Sequence, residues 1–422
     1  MSSDPGAHRR GGGNAPGLRR AALGIALAAL AAGCSTMPAN RFALAGLPPE
    51  QTALAEQNLT VFNAVWDLVN RKHFDRDHRG VDWQAAGAEY GAQAAMASDE
   101  TALYTTINEM VGLLRDSHTH ALDPARAAER RTHLRPRTGF NLTRIERQWV
   151  VSEVLPGSPA EQAGIRTGWI ALARNGEPLG EQIDYRPLEG EAATWVFLDE
   201  NNQRVSLAPV ARRISAGARQ NVKELDGGFV YLRFDEFGRR NRRWFYRQLK
   251  QYQRAPGVIV DLRHNPGGET FSLGITIGEF FTRAVDCGTF ISRSGARRVK
   301  SSWQFGSAHY QGRLAVLVDR GTGSAAEIFA AVMQDHERAV IVGRRTAGAV
   351  LASRFYRLPK GGELQLSRED YVAPKGRRIE GSGVEPDVVV PRTVEDLRTR
   401  RDRDLETAHR ILQSESVDGG YY

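Results

Sequence analysis

The chain has 422 residues, 41% of them hydrophobic and 25% charged, which excludes a disordered or fibrous protein and leaves room for two or three globular domains. Its formal net charge of +8, part of it carried by the first 33 residues, is too modest to imply a nucleic-acid partner by itself. Two cysteines exclude a disulfide framework.

Arg9, Arg10, Arg19 and Arg20 precede "AALGIALAALAAGC". Its apolar run of about 13 residues is shorter than the roughly 20 that a helix needs to cross a bilayer. This is the layout of a secretion signal. The "LAAGC" ending resembles the lipobox of a bacterial lipoprotein. That likeness makes residues 1–34 a signal peptide and Cys34 the lipidated first residue of the mature chain. With Ser35 rather than aspartate following, it implies the periplasmic face of the outer membrane. A plain cleaved signal peptide or an apolar helix is the alternative. Residues 35–51, rich in proline, read as a tether.

The spacing of Phe62, Val65, Trp66 and Val69 predicts a helix, and Leu113 and Leu114 close another helical stretch, so 52–135 is expected to be a helical domain. Within it "HFDRDHRGVD" (73–82) has no regular ligand repeat and reads as a solvated turn rather than a metal site. Residues 136–213 alternate in strand fashion around a short helix bounded by Pro159 and Gly164, followed by an Asn175-Gly176 turn.

Beyond residue 214, "VIVDL", "LAVLVD" and "AVIVG" read as buried strands separated by the helix-like "TFSLGITIGEFF" and "SAAEIFAAVMQDHE". This β-α-β-α-β order predicts an α/β domain with a parallel sheet. "GRRNRRWFYRQLKQYQR" (238–254) predicts an amphipathic helix with a solvated basic face, a nucleic-acid patch being the alternative. Cys287 has no partner or metal-ligand spacing and is expected to be structural. A hairpin turns at Pro359–Gly362, and a charged helix with Leu397, Leu405, Ala408 and Leu412 closes the chain.

Ser324 follows Gly-Thr-Gly at the turn from strand into helix. As an N-cap it would contribute about 1 kcal/mol. As a nucleophile it would need a base within hydrogen-bond reach, and the free amides of the helix's first turn would surround it and stabilise an oxyanion.

Taken in order, "DLRHNPGG", "GSAAEIFAAVMQD", "VGRRTAG" and "RIEGSGVEPDVVVP" resemble the motifs of the tail-specific (C-terminal processing) peptidase family. "GSPAEQAGI…NGEPL" resembles the PDZ domain that the family carries, and "FNAVWDLVNRKHFD…LLRDSHTHA" its N-terminal helical segment. The resemblance covers roughly residues 55–412. It implies a PDZ-like domain over 136–213, a ClpP/crotonase-like catalytic domain over 214–395, and a C-terminal helix and tail over 396–422.

The family's best-known branch uses a serine–lysine dyad, but counting 25 residues on from Ser324 lands on Ala349. "RDSHTHA" instead resembles the Ser-His pair of the tricorn protease core, and "IEGSGV" matches the place where that branch keeps a glutamate. The resemblance thus implies Ser324 as nucleophile, His118 as general base, and Glu380 and Ser117 in support. His120, Lys360 and Lys375 remain alternative bases, and Glu369 or Asp370 alternatives to Glu380. Ala325 and either Gly267 or Gly268 are the candidate oxyanion donors, and Gly139, Phe140, Asn141 and Leu142 the candidate loop for a substrate's C-terminal carboxylate. The implied activity is a serine-type endopeptidase acting on polypeptides without metal or cofactor, held to a membrane by its lipid, with no nucleic-acid partner. The oligomeric state is left open. The alternatives are a peptidase-fold protein that binds peptide or lipid, and an adaptor lipoprotein that recruits another peptidase.

Overall fold

Apolar residues at 62, 65, 66 and 69 give one wholly buried face to the first helix, α1 (Pro49–Lys72). Pro49 opens it, where the fixed φ of proline suits the first turn and its missing N–H costs nothing. The computed structural model describes residues 48–183, 185–215, 219–301 and 309–414. The expected signal peptide with Cys34, and most of the tether, lie outside the described residues. Helices α2 (Trp83–Ala95) and α3 (Glu100–Gly112) start at Asp82 and Asp99, whose carboxylates accept from Ala85 and Ala102. β1 (His120–Leu122), α4 (Pro124–Thr132) and β2 (Leu134–Arg137) complete this region.

The helical region does not close its own core. Phe62, Trp66, Ile107 and Met110 cluster with Leu358, Leu364 and Leu366 from far along the chain, and β1 pairs antiparallel with Glu363–Gln365. The turn at 73–82 is solvated in part, Arg76, Asp77, Arg79, Gly80 and Asp82 being exposed. Its two histidines are buried: Phe74 donates its amide to the carbonyl of Ser367, His73 faces Asp116, and His78 stacks on Trp83.

β3 (Phe140–Ile145), β4 (Gln148–Val154), the short α5 (Pro159–Gln162), β5 (Ile170–Arg174), β6 (Glu177–Pro178), β7 (Trp195–Leu198) and β8 (Arg204–Leu207) follow. They form a sheet in the order β3-β4-β5-β7-β8, with β6 on β5. Asn175 and Gly176, both at positive φ, make the tight β5–β6 turn as expected. β3 is an edge strand. β9 (Arg212–Ser215) pairs back with β2.

The remaining elements are β10 (Gln220–Glu224), β11 (Val230–Phe234), α6 (Arg239–Gln251), β12 (Gly257–Asp261), α7 (Thr270–Gly278), β13 (Asp286–Ser292), β14 (Gly295–Lys300), β15 (Arg313–Val318), α8 (Ala325–Asp335), β16 (Val340–Gly343), β17 (Ala352–Arg357), β18 (Glu363–Val372), β19 (Val388–Val389), α9 (Val394–Arg398) and α10 (Arg403–Ser414). The central sheet runs β10-β11-β12-β15-β16-β19 and is parallel from β11 onward. Its strands are apolar almost throughout because both faces are covered. α7 and α8 pack on one side with Phe280 and Phe329, and α10 covers the other with Ala408 and Leu412. A second sheet, β1-β18-β13-β14 with β17 also on β18, joins the N-terminal helices to the parallel sheet's helices.

The expected single C-terminal helix is two. Arg400 at φ 55 breaks it, so that Leu397 packs against Ile145, Val150 and Ile170 of the β3–β8 sheet while Leu412 packs against the parallel one.

Candidate active site

Ser324 stands between β15 and α8 at φ 52 and ψ −122. A non-glycine residue there costs on the order of 1–3 kcal/mol, so its surroundings must hold it. Its N–H donates to the carbonyl of Ala349 at 2.8 Å and to Glu327 Oε2 at 3.0 Å. Glu327 is wholly buried, and its carboxylate also accepts from Thr346 Oγ1 (2.5 Å), Gly348 N–H (2.7 Å) and Ala349 N–H (2.8 Å). One carboxylate therefore ties the helix start to the 346–349 loop. Burial raises the Glu327 carboxyl above its ordinary range, and the hydrogen bonds from Thr346, Ala349, Gly348 and Ser324 oppose that rise. Glu327 had a signal of its own in the sequence, since serine followed three residues later by glutamate is a capping-box signature.

Beside Ser324 opens a groove of about 390 Å³, reaching from Gly268–Phe271 and Phe290 to Ile328 and Val350–Ser353. Ala325 and Gly268 both line it, and their amides have no acceptor among the described residues. They remain candidate oxyanion donors. Gly267 does not fit the donor role expected of it, because its N–H donates to Asn265 Oδ1 at 2.9 Å. Its need for glycine is steric: an added Cβ would stand 2.6 Å from Ser324 Cβ and 2.7 Å from the Ala325 nitrogen.

His118 lies on the loop after α3. Its Nδ1 is 2.6 Å from Ser117 Oγ, and Ser117 Oγ–H donates to Glu380 Oε2 at 3.0 Å. A serine hydroxyl has one hydrogen, so Nδ1 must carry the proton of the first contact, leaving the lone pair on Nε2. Glu380 also accepts from Ser117 N–H (3.1 Å) and Val350 N–H (2.9 Å). The carboxylate thus reaches the imidazole through the serine hydroxyl. Burial lowers the His118 pKa, with Glu380 and Asp116 opposing. No hydrogen bond joins His118 Nε2 to Ser324 among the described residues. Ser324 is bonded to Ala349 and Glu380 to Val350, so the nucleophile and the relay behind the imidazole are tied to the same loop.

Asp116, a residue outside the expected set, shapes the loop carrying His118. Asp116 accepts from the amides of His118 (3.0 Å) and Thr119 (2.6 Å), from Thr119 Oγ1 (2.7 Å) and from Ser367 Oγ (3.0 Å), and faces His73 Nε2 at 3.0 Å. Burial would raise its carboxyl, but the bonds from His73 and Thr119 win and hold it at about 2. The available signal was an aspartate ahead of Ser-His-Thr, the pattern of a side chain capping its own turn.

The alternative candidates have other surroundings. Lys360 bonds Gln57 on the surface, and Lys375 Nζ lies 3.2 Å from Glu337, at the far end of α8, roughly 15 Å along the helix from Ser324. His120 sits in β1 opposite Gln365. Glu369 pairs with Arg297, and Asp370 with Arg378. His336 faces the carbonyl of Asp286 at 2.7 Å. Burial pushes the Cys287 thiol up to about 12, as befits a structural cysteine.

The Gly139–Leu142 segment supplies backbone rather than a side-chain pocket. Phe140 packs edge-on against Trp195 at 5.1 Å, and Leu142 joins the same core. Asn141 Nδ2 donates to Glu153 at 2.8 Å, and the carbonyl of Gly139 accepts from Leu155 N–H.

A strained serine at a helix start, amides without acceptors beside it and an imidazole oriented by a serine and a carboxylate are the parts that a serine hydrolase would use. Residues 228–390 match the sequence model of peptidase family S41, and residues 55–112 that of the tricorn protease C1 domain. Peptidase family S41 is a serine-type peptidase class, and the stretch that resembles it holds Ser324 and Glu380. The chain is 28% identical over 373 residues to the carboxyl-terminal-processing protease of Synechocystis sp., covering 82% of this chain and 83% of that one. It is also 28% identical to the chloroplastic C-terminal processing peptidase of Tetradesmus obliquus, covering 87% and 83%. Among solved structures, the photosystem II D1 C-terminal processing protease superposes with a TM-score of 0.57 at 24% identity, over 84% of this chain and 97% of that one. At that identity the superposition speaks for the fold.

Proposed function

We propose that the protein is an exported serine endopeptidase that hydrolyses polypeptides at Ser324, with His118 as general base. The observation that carries this reading is the Glu380–Ser117–His118 relay, which supplies an oriented imidazole where Ala349 leaves no amine. In the reaction, Ser324 Oγ attacks the scissile carbonyl while His118 Nε2 takes its proton. Ser117 and, through it, Glu380 stabilise the imidazolium, and Ala325 and Gly268 donate to the oxyanion. The protonated His118 then passes its proton to the leaving amine, and water completes the cycle by the same route. His118 must close on Ser324 when substrate fills the groove, as hydrogen bonds of catalytic groups commonly shorten in the bound state.

The region 136–213 serves in this reading as a PDZ-like module. β3 offers its free edge to an extended substrate C-terminus, which would add as a further strand at the Gly139–Leu142 backbone. Export and anchoring at the outer membrane rest on the arginine-led apolar run and Cys34. Cleavage of an unstructured protein by the purified chain, abolished in Ser324→Ala, is the expected result. Undiminished cleavage by that variant removes Ser324 from the mechanism.

The open His118–Ser324 pair favours a second reading, a peptidase-fold lipoprotein that binds peptide or lipid without cleaving it. Saturable binding, with no labelling of Ser324 by a serine-reactive phosphonate at any pH, would support it.

A further inference from the structure

From Gly238 to Arg254 the chain carries seven cations and no acid, close to its whole formal excess of +8. On α6 the exposed side chains of Arg239, Arg240, Arg243, Arg247 and Lys250, with Arg254 just beyond, follow one another at helical spacing. Phe245 and Leu249 anchor the opposite face in the core. None of these cations has an ion-pair partner among the described residues, whereas arginines elsewhere are commonly paired, as Arg263 is with Asp261, Asp402 and Asp404. The nearest acids in sequence on either side, Glu236 and Asp261, form no ion pair with them, Asp261 being taken by Arg263.

This stripe begins at the rim of the groove. Phe237, one residue before the α6 N-cap, bridges to Gly268, with Glu269 N–H donating to the Phe237 carbonyl at 2.7 Å. Arg242 stands over the ring of Phe271 at 5.6 Å, and Phe271, itself 61% exposed, lines the groove beside Ser324. The cations therefore lead away from the site where a scissile bond would lie.

We infer that the basic face of α6 is a docking surface for acidic segments of the polypeptide substrate, so that the enzyme selects chains carrying a run of Asp and Glu beside the cleaved bond. The inference rests on the peptidase reading for the cleavage and on the stripe alone for the binding. From Arg239 to Lys250 the stripe is about 17 Å long, which an extended chain spans in about five residues. Like-charged arginines left unpaired at close spacing repel one another, and an acidic segment removes that repulsion while gaining charge-assisted hydrogen bonds. A bare lipid headgroup or a nucleic-acid backbone would meet the same charge. The continuity with the groove favours a polypeptide.

The test measures binding apart from catalysis, using the full chain carrying Ser324→Ala. A fluorescent peptide of about 20 residues with a central Asp/Glu run is compared by anisotropy with its Asn/Gln counterpart at about 50 mM salt. The expected result is tighter binding of the acidic peptide by about tenfold or more, shrinking as salt rises and lost in R239Q/R240Q/R243Q/R247Q. If that variant melts early, R243E/R247E gives the same reading. Equal binding of the two peptides, or a preference that survives the substitutions, overturns the inference. So does retention on phosphatidylglycerol vesicles or polyuridylate without any preference for the acidic peptide. With Ser324 restored, the four-arginine variant should cleave a charge-neutral protein as the parent does. Failure of the parent to cleave any protein would count against the peptidase reading, while the anisotropy still reports on the stripe.

Discussion

The backbone N–H of Ser324 donates to the carbonyl of Ala349 at 2.8 Å. The position at which related enzymes are expected to place a lysine is thus held against the nucleophile, but its side chain ends at Cβ. Installing the amine should restore a base. In a His118→Ala background, Ala349→Lys is expected to recover peptidase activity by about 10²-fold, the lower end of what a positioned base contributes. The recovered activity should rise toward alkaline pH, as a lysine must lose its proton to act. Initial rates across pH check this, and no recovery would show that residue 349 does not point its side chain at Ser324.

The relay to His118 predicts a separate pH limb. Only neutral imidazole can accept the serine proton, and burial lowers the His118 pKa below its ordinary 6.5. Activity should therefore be full at neutral pH and fall only at pH values below 6.5. Ser117→Ala removes the acceptor that fixes the Nδ1–H tautomer. A fall in kcat of about 10–100-fold with little change in KM is expected, and steady-state kinetics on a peptide substrate decide it.

Glu327→Gln tests what holds Ser324 in its strained backbone. Four donors converge on two carboxylate oxygens, whereas glutamine offers one acceptor oxygen and an NH₂ that meets them donor to donor. Leaving buried donors unsatisfied costs about 1–3 kcal/mol each. A loss of about 2–4 kcal/mol in urea unfolding is expected, accompanied by a lower kcat.

Asp116 should write its signature on acid stability. Its carboxyl is held at about 2 in the folded chain against an ordinary 3.8, so its contribution is fully present above pH 3.8 and is lost as pH falls through 2. The shift corresponds to about 2 kcal/mol. In Asp116→Asn, thermal unfolding should show a shallower decline between pH 4 and pH 2 than in the parent. The variant should also lose activity at neutral pH, because the His118 loop loses the carboxylate that gathers its amides.

Much of this architecture could be read from residue order. The apolar strands at 258–262, 314–319 and 339–343, the helix after Ser324 and the Asn175-Gly176 turn all follow local rules, and they stand where those rules put them. The convergence of Ser117, His118 and Glu380 came from resemblance, since no local rule joins residues 263 positions apart. What escaped was tertiary. Nothing around His73 announces that it will be buried against Asp116, because the cover comes from β18. Gly267 is one of two glycines that the sequence offers as second oxyanion donor, and Asn265, two residues earlier, occupies its amide. The break at Arg400 escaped as well, for a charged segment shows the same helical spacing whether it packs on one sheet or on two.

The most direct measurement is the pH dependence of Ser324 labelling by a serine-reactive phosphonate, read by mass spectrometry in the parent and in His118→Ala. Labelling that follows a titration below pH 6.5 in the parent and nearly vanishes in the variant is what an imidazole closing on that hydroxyl requires. Equal labelling in both chains, or none in either, would contradict it.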